Sequence, residues 1–456
     1  MHLADIFRGG YYPNVAGIAE QNQAHRRFGA VYFTRLSLAE VRCFGPEQYL
    51  NLTDGNRPAK WTVVLGENGV GKTTLLQCLW AMAPQPYPDN SVSAPRGMDA
   101  RSLSLERGSA TISRAILTAT IVLDEPLTSN KTGAQEQAKF LPLPPGSHSG
   151  GPAILYSRPA NAVCCGYGAL RRSADLAVEA TNSGHSAASL FSDDASLISG
   201  SEWLLRADYA ASSTTDNRAA IRRDKIRTAL IGLLPDVSDI RVAGLDEETP
   251  RPRIDVQTHY GWVPMRALSL GYRSMIAWVI DLASRMFEAY PDSADPLTEP
   301  AIALVDEIDL HLHPRWQREI TAHLDRLFPN VQFIVTAHSP LVVQGAGVTN
   351  VAVLRRSGDH VEILNDPEEV RGWRVDQILT SDLFGLRSAR PVEVEQLLER
   401  QQALVLLDTP TDAQRAELAA IDARLAGLSE GEAAQERKTW ETARRLADRL
   451  ASEPGR

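Results

Sequence analysis

The chain has 456 residues, a formal net charge of −9, and 43% hydrophobic and 23% charged residues. This length is enough to bury a full hydrophobic core, and the composition excludes disordered, collagen-like and disulfide-rich classes. The net charge argues against a protein that coats nucleic acid over its whole surface, although it is compatible with a local basic groove. The chain has four cysteines, Cys43, Cys78, Cys164 and Cys165. They are too few for a disulfide framework and lack the spacing of a zinc knuckle, so we interpret them as reduced thiols.

Residues 1–30 form a polar, glycine-rich N-terminal extension without the apolar segment of a signal peptide. The longest apolar run, SMIAWVIDLA, is too short to cross a membrane and contains Asp281. We therefore expect a soluble cytoplasmic protein that has no membrane segment.

Residues 31–126 carry the pattern of the first part of an α/β lobe. VYFTRLSL alternates apolar and polar residues as a strand does, and CFGPEQYLNL turns into a second strand. WTVVLGENGVGKTTLLQCLWAM predicts a buried strand, a glycine loop and a helix, and SATISRAILTATIVLDE is again strand-like. The glycine loop therefore opens a helix, whose positive end favours an anion.

This loop matches the phosphate-loop pattern G-x-x-x-x-G-K-[ST] at Gly66, Gly71, Lys72 and Thr73. The glycines let backbone N–H groups curl around the β- and γ-phosphates of a nucleotide, and Lys72 is expected to reach the terminal phosphates. The Thr73 hydroxyl stands where Mg²⁺ needs a ligand. The predicted nucleotide contacts are Gly66, Glu67, Asn68, Gly69, Val70, Gly71, Lys72, Thr73 and Thr74.

Residues 127–265 are predicted to form an inserted, partly helical lobe. Its first part, about 127–160, is rich in Gly, Pro and Ser, and we interpret it as an exposed insertion. Two basic stretches follow, GYGALRR (Gly166 to Arg172) and RRDKIR within a helical segment. They are compatible with a DNA groove or, as the commoner explanation, with solvated arginines on helix faces.

Residues 266–365 contain three further signals. In AIALVDEID, the acids Asp306 and Glu307 end a buried strand, where ligands of parallel sheets bind. Asp306 is expected to hold the Mg²⁺ shell and Glu307 to polarise an attacking water. His338, in FIVTAHSP, follows Glu307 by 31 residues, one helix and one strand later. By itself it is compatible with a turn residue, but this spacing brings it to the same sheet edge, beside a γ-phosphate.

The stretch RALSLGYRS carries the last signal. Ser269 and Gly271 offer a hydroxyl, an unhindered backbone N–H and a helix N-terminus, which together make a second anion site. Alone, the pattern is also that of an ordinary capped helix. Two histidines near the acidic strand, His311 and His313, could join Asp309 as metal ligands, but the architecture of this loop is the favoured explanation for them.

Residues 366–456 form a predicted helical C-terminal region, because from residue 391 onward the chain is rich in Glu, Ala, Leu and Arg at helical spacing. They contain no acidic metal cluster at strand ends, so the chain shows no nuclease of its own, and no heptad run long enough for an extended coiled coil. The apolar stripes of these helices are predicted to pack on their own core or to dock a second protein.

Taken in order, GENGVGKTT, LSLGYRS, LVDEIDLHLHP and TAHSP resemble the phosphate loop, signature, carboxylate strand and switch histidine of ABC-type ATPases. The chain is most similar to the branch of RecF-like, SMC and OLD-like ATPases, and within it to Septu-type (PtuA-like) antiphage defence ATPases. The resemblance covers roughly residues 31–365. It implies an α/β fold: a P-loop ABC-type ATPase head with a mixed or parallel sheet, a helical lobe and the helical C-terminal region.

The resemblance also implies a function. With ATP and Mg²⁺ as cofactors, Glu307 and His338 would be catalytic in a slow, regulatory ATP hydrolysis. Ser269 and Gly271 of one subunit would grip the ATP held by Lys72 of another, in a homodimer or a higher oligomer of such dimers. Asp309 would lie in the loop that crosses this interface.

Other contacts and the partners follow from the same resemblance. Arg42 is a further candidate nucleotide contact, and Gln135 and Gln137 are candidates for the glutamine that links the lobes. The implied partner is an HNH-type nuclease in bacterial antiviral defence, with DNA bound directly or through that partner, and ATP either activating or restraining it. The alternative is a RecF-like repair ATPase that binds DNA itself.

Overall fold

A computed structural model of the chain describes residues 30–84, 116–123, 134–141, 153–156, 162–173, 186–213, 217–244, 252–345, 350–365, 372–386, 388–407 and 410–426. These residues belong to two compact units, Met1–Gly385 and Leu386–Arg456. The residues outside the described ranges include residues 1–29 of the predicted N-terminal extension, the Gly/Pro-rich residues 142–152 of the insertion, and residues 427–456 at the end of the C-terminal region.

The strands are β1 Val31–Ala39, β2 Gln48–Asn51, β3 Thr53–Asp54, β4 Arg57–Pro58, β5 Trp61–Gly66, β6 Ile116–Leu123, β7 Ala134–Leu141, β8 Ala153–Tyr156, β9 Cys164–Tyr167, β10 Arg172–Ser173, β11 Ser196–Leu197, β12 Asp239–Ala243, β13 Arg253–Thr258, β14 Gly261–Pro264, β15 Ala301–Val305, β16 Val331–Thr336, β17 Asn350–Ser357 and β18 His360–Asn365. The helices are α1 Lys72–Met82, α2 Ala188–Phe191, α3 Gly200–Ser213, α4 Asn217–Leu233, α5 Leu270–Ala289, α6 Pro314–Leu327, α7 Pro340–Val343, α8 Val375–Leu379, α9 Val392–Val405 and α10 Asp412–Ala426.

The core of the first unit is a six-stranded mixed sheet of order β18-β17-β5-β16-β15-β9. Strands β17, β5, β16, β15 and β9 run parallel, and β18 pairs antiparallel at the edge. Every residue of β15 and β16 is buried. Such continuous apolar strands form because both faces of a parallel sheet are covered.

Successive residues of these strands enter two different hydrophobic clusters, one on each face of the sheet. In β5, Val63 and Leu65 belong to one cluster and Val64 to the other. The first cluster contains the helical lobe, and the second contains α1 and the strand β1. The period of two along each strand therefore divides one sequence between two cores.

A second, antiparallel sheet has the order β2-β1-β6-β7-β8. Strands β7 and β8 lie within the segment that we interpreted as an exposed insertion, so parts of this segment pair into a sheet. The polar sequence AQEQAKFL of β7 does not have the apolar alternation of a strand, and it is the pairing with β6 that makes it one.

The side chain of Gln332 on β16 joins the two sheets, although it is fully buried. Its amide oxygen accepts a hydrogen bond from the Phe33 N–H at 2.8 Å, and its nitrogen donates to the carbonyl oxygens of Phe33 and Ala59 at 2.8 and 3.1 Å. A buried amide with these partners satisfies backbone groups where β1 departs from its regular pairing with β6.

The helical lobe consists of α3, α4 and α5 with the three-stranded sheet β12-β13-β14. Helix α5 is buried along most of its length and carries the buried acid Asp281, which pairs with Arg285 and accepts a hydrogen bond from the Tyr167 hydroxyl at 2.9 Å. This contact attaches α5 to β9 of the central sheet.

In the second unit, α9 and α10 pack as a pair whose buried apolar residues are Leu404 and Ile421. Val392, Val405 and Leu406 are largely exposed in this part of the chain. No helix in the described ranges is long and apolar enough to cross a membrane.

The sheet topology confirms the predicted α/β class with a mixed, mainly parallel sheet, a helical lobe and C-terminal helices. Parallel strands end at the same edge of the sheet. The loops that follow β5, β9, β15 and β16 therefore meet there, at the position where such sheets bind ligands.

Replacing Gln332 with Leu should destabilise the protein. The volume is similar, but three buried backbone groups lose a partner, at about 1–3 kcal/mol for each one left unpaired. We expect the free energy of unfolding, measured by urea denaturation, to fall by at least about 3 kcal/mol, the sum over three groups at the low end of this range. Gln344→Leu is the control, because the Gln344 side chain is half-buried and donates a hydrogen bond to one backbone group, the Trp373 carbonyl. An equal loss in both variants would contradict the bridging role.

Candidate functional site

The phosphate loop connects β5 to α1 and takes its shape from glycines. Gly66, Gly69 and Gly71 have φ angles of 148°, 79° and 91°, which favour glycine. A Cβ on Gly71 would also come within 2.4 Å of the Cys43 sulfur. Glu67, Asn68 and Gly69 are exposed at the loop tip, whereas Val70 is buried beneath it.

Lys72 is the first residue of α1, and its side chain is folded back over the loop. The Nζ atom donates to the carbonyl oxygens of Gly66 and Glu67, both at 2.8 Å. Burial lowers the pKa of Lys72, and the charges of Asp306, Glu307 and Asp309 oppose this effect. The ammonium thus lies between the loop and the acids that follow β15.

Asp306 connects three elements of the site. Its carboxylate accepts hydrogen bonds from the hydroxyls of Thr73 and Thr336, each at 2.6 Å, and its backbone N–H donates to the Tyr167 carbonyl. The Thr73 hydroxyl and the Asp306 carboxylate therefore converge at the N-terminus of α1. They are hard oxygen donors of the kind that Mg²⁺ prefers, so the pair fits the predicted ion.

Glu307 adopts a left-handed backbone conformation with φ of 47°, which is uncommon for a residue with a side chain. Its N–H donates to the Thr336 hydroxyl at 2.7 Å, and its carbonyl accepts from Arg171 at 2.6 Å. The carboxylate is 3.8 Å from the His338 Nε2 atom, and both side chains are about one-third exposed. The two predicted catalytic groups are therefore neighbours at the sheet edge.

Asp309 supports His338 rather than facing solvent. It is 8% exposed, and both of its carboxylate oxygens accept from the His338 N–H, at 3.3 and 3.1 Å. Gln317 on α6 donates to the Asp309 carbonyl, and its oxygen accepts from the Ser339 hydroxyl at 2.7 Å. The loops after β15 and β16 are thereby fixed to one another.

The predicted signature begins α5 and lies against the loop after β15. Ser269 is exposed and caps the helix, accepting from the Tyr272 N–H at 3.5 Å. Gly271 is buried, and a Cβ there would come within 2.3 Å of the His311 carbonyl oxygen. The backbones of the signature helix and the acidic loop are thus in close contact, which only glycine permits.

Arg42 contacts helix α1. Its guanidinium donates to the Thr74 hydroxyl at 3.2 Å and to the Gln77 side-chain oxygen at 2.9 Å. Thr74 is itself buried. The structure therefore brings Arg42 against α1, next to the phosphate loop.

Other sequence candidates do not join this cluster. Gln135 and Gln137 are exposed on β7 of the antiparallel sheet and remain candidates for the linking glutamine. His313 caps α6 by accepting from the Arg315 N–H at 3.3 Å, and His311 is exposed. In the part of the chain that the structure describes, no group of three or more His, Cys, Asp or Glu side chains could hold a metal ion.

The basic stretch RRDKIR lies on α4 and is paired with neighbouring groups. Arg223 bonds Asp208 and Asp224, Lys225 pairs with Asp295, and Arg227 with Asp239; the Arg222 guanidinium lies over the Phe287 ring. These contacts favour the interpretation as solvated arginines on a helix face over a DNA groove.

Two residues that organise the site are not indicated as site residues by the sequence motifs. Thr336 is the polar last residue of an apolar strand, and that position was its signal. Arg171 was noted only in a basic stretch, but it is 3% exposed and lies beneath the acidic loop. Burial lowers the Arg171 pKa to about 10, so it stays charged at neutral pH.

Parts of the chain are similar to known proteins. The family described as "AAA domain, putative AbiEii toxin, Type IV TA system" matches residues 170–344, a range that includes the signature, the acidic loop and His338 but not the phosphate loop. The Septu protein PtuA of Bacillus mycoides (strain KBAB4) is 31% identical over 198 residues, which cover 42% of this chain and 27% of PtuA. The Retron Vc95 probable ATPase of Vibrio cholerae serotype O1 biovar El Tor is 36% identical over 129 residues, covering 28% and 24%.

These matches span about a quarter of the length of the curated relatives. A solved SMC head, bound to the C-winged helix domain of ScpA, covers 74% of this chain and 98% of its own, with 13% identity and a TM-score of 0.44. The resemblance predicted from the motifs is confirmed: the chain is homologous to Septu PtuA and to retron ATPases over part of its length.

Gly271→Ala should displace the signature helix from the acidic loop, because the added methyl group would meet backbone rather than a flexible side chain. We expect the free energy of unfolding to fall by about 2 kcal/mol, as for other overpacked sites. Gly232→Ala on α4 is the matched control: it has open space around it and should gain about 0.5–1 kcal/mol. Thermal melts of both variants test this, and an unchanged Tm for Gly271→Ala would contradict the close contact.

Proposed function

We propose that this chain is an ABC-type ATPase that dimerises around ATP and regulates a partner effector, a nuclease, in bacterial antiviral defence. The observation that carries the proposal is the convergence of Lys72, Asp306, Glu307 and His338 at one sheet edge. Similarity to proteins named as ATPases supports the nucleotide chemistry.

In this proposal the phosphate loop binds the β- and γ-phosphates, and Lys72 exchanges its two carbonyl partners for phosphate oxygens. Both sets of partners are oxygen acceptors, so the ammonium keeps its hydrogen bonds when the nucleotide enters. Thr73 and Asp306 would hold Mg²⁺, which neutralises charge on the phosphates. The hydrogen bond of Asp306 to Thr336 keeps the carboxylate oriented while it does so.

Glu307 would accept a proton from the attacking water, and His338 would contact that water or the γ-phosphate. The two side chains are 3.8 Å apart, so both could contact a single water molecule near the end of β15. The turnover is proposed to be slow, because the nucleotide state serves as a signal rather than as a supply of product.

The proposed dimer is an ATP sandwich. Ser269 and Leu270 are exposed at the N-terminus of α5, and the hydrogen bonds of Ser269 are to its own helix. An exposed helix N-terminus attracts an anion, which in a two-fold arrangement would be the γ-phosphate held by the second copy. Each copy would then supply one half of two identical sites.

A mixing experiment tests the shared site. Lys72→Met and Ser269→Arg should each abolish ATP turnover, because every homodimer lacks one half of both sites. In an equimolar mixture, random pairing makes half of the dimers mixed, and each mixed dimer has one complete site of its two. The mixture should therefore recover about a quarter of wild-type turnover. Phosphate release from the reassorted mixture is the measurement.

The control mixes Lys72→Met with Glu307→Gln, two residues that act in the same half-site. A complete site needs Lys72 and Glu307 from the same chain, and every chain in this mixture lacks one of the two. The mixture should therefore recover no turnover. If the wild-type protein hydrolyses ATP but the first mixture recovers no turnover, the ATP sandwich would be contradicted, whereas the proposed ATPase activity would stand. Recovery in both mixtures would contradict the assignment of Glu307 to the side of Lys72.

The partner is proposed from the relatives, two of which are named as Septu proteins and two as retron ATPases. By the sequence resemblance it is an HNH-type nuclease that the nucleotide state activates or restrains, in a cytoplasmic complex of such dimers. DNA would be bound through the nuclease or by the ATPase itself.

Tagged protein isolated from its native host tests this assignment. We expect mass spectrometry to find a nuclease bound at stoichiometric level. The amount of bound nuclease should change in the Glu307→Gln variant, because this variant should retain ATP. Co-purification of recombination proteins without a nuclease, together with nucleotide-dependent DNA binding by the purified chain, would instead favour a RecF-like repair ATPase.

A further inference from the structure

Arg171 occupies an unusual position for a charged side chain. It follows β9, the strand beside β15, and is 3% exposed. Asp306, Asp309 and Glu307 all act on it electrostatically. The guanidinium is therefore enclosed beneath the loop that carries the proposed catalytic acid.

One contact of Arg171 is short and directed. Its Nη2 atom donates to the Glu307 carbonyl at 2.6 Å, and the Leu310 N–H donates to the same oxygen at 3.0 Å. On the other side of the residue, the Glu307 N–H is held by the Thr336 hydroxyl at 2.7 Å. Glu307 is thus fixed at both ends while its φ is 47°. A strained conformation of this kind persists only where its surroundings enforce it.

The segment that carries Arg171 is itself held in place. The Gly168 N–H donates to the Ser189 hydroxyl, and a Cβ on Gly168 would come within 1.9 Å of the Ser189 carbonyl oxygen. Ser189 belongs to α2, whose Leu190 carbonyl accepts from Gln77 on α1 at 2.9 Å. The position of Arg171 is thereby fixed relative to the nucleotide helix.

Charge balance alone does not explain this arrangement. Two donors of the guanidinium, Nε and Nη1, are buried without a hydrogen-bond partner among the described residues. A buried arginine that served only stability would be expected to satisfy them. Within the described ranges, the hydrogen bond that the guanidinium does make is to Glu307, the strained residue.

We propose that Arg171 is a positioning residue for hydrolysis, which holds the Glu307 backbone in the conformation that directs its carboxylate toward His338. The inference rests on the proposed function, in which Glu307 activates water. Arg171 touches neither the water nor the nucleotide in this role. Its effect should therefore fall on turnover and not on ATP binding.

The kinetic test compares Arg171→Lys, Arg171→Met and the wild type. We expect kcat to fall by about 100-fold in Arg171→Met and about tenfold in Arg171→Lys, the range expected when a catalytic group is misplaced by about 1 Å. The Kd of a fluorescent ATP analogue with Mg²⁺ should stay within about threefold of wild type. Arg285→Met, which removes a partly buried arginine paired with Asp281 on α5, is the control: its Tm should fall while kcat is unchanged.

A second measurement needs no turnover. Amide hydrogen exchange in residues 307–310 should be faster in both Arg171 variants than in the wild type, and unchanged in Arg285→Met. If Arg171→Met does not fold, both kcat and hydrogen exchange can be measured on Arg171→Lys alone. The lysine keeps the positive charge but lacks the Nη2 atom that bonds the Glu307 carbonyl.

The outcomes separate the two proposals. One outcome is faster exchange in the Arg171 variants together with no ATP turnover by the wild-type protein. It would support the contact between Arg171 and Glu307 but overturn the proposed function, and with it the role of Arg171 in hydrolysis. Wild-type turnover with unchanged kcat in both variants would overturn the positioning role alone. A parallel loss of kcat and nucleotide affinity would also overturn it, because that is the signature of a structural defect.

Discussion

The carboxylate of Asp306 is the contact on which the candidate site depends. It is 4% exposed, and a buried carboxylate is tolerated only when its oxygens are hydrogen-bonded and cations are near. The hydroxyls of Thr73 and Thr336 bond its two oxygens, and Lys72 and Arg171 supply positive charge. These bonds connect the tip of β15 to α1 on one side and to β16 on the other.

Around this contact the backbone is held in conformations that isolated residues avoid. Among the described residues other than glycine, positive φ angles occur at Arg42, Arg171, Glu307 and His311, all in or beside the site, and at Glu40 and Asp236. Each costs of order 1–3 kcal/mol and requires compensation from the surrounding packing. The strain at Glu307, which Arg171 and Thr336 hold in place, is typical of a site where a side chain must be aimed for chemistry.

Close backbone contacts transmit the position of one element to the next. Gly271 places the signature helix against the acidic loop, and Gly168 places the end of β9 against α2. Gln332 joins the parallel sheet to the antiparallel one through the backbone of β1. A displacement of one of these elements would therefore also have to move its neighbours, because closely packed backbones do not deform independently.

The sequence by itself determined the α/β class, the phosphate loop, the acidic strand end and the resemblance to defence ATPases. These features are local, because a glycine loop between a strand and a helix, or two acids after five apolar residues, is specified by adjacent residues. The predicted meeting of Lys72, Asp306, Glu307 and His338 also followed from sequence, since parallel strands end at one edge.

Only the tertiary structure decided what depends on contacts between distant segments. The polar strand β7 forms because β6 offers it hydrogen bonds, and no alternation in its own sequence indicates this. Arg171 was a basic residue in a basic stretch until folding enclosed it with three acids that follow it by more than a hundred residues. Whether a charge is solvated, paired or buried depends on its spatial neighbours, and the sequence does not list those neighbours.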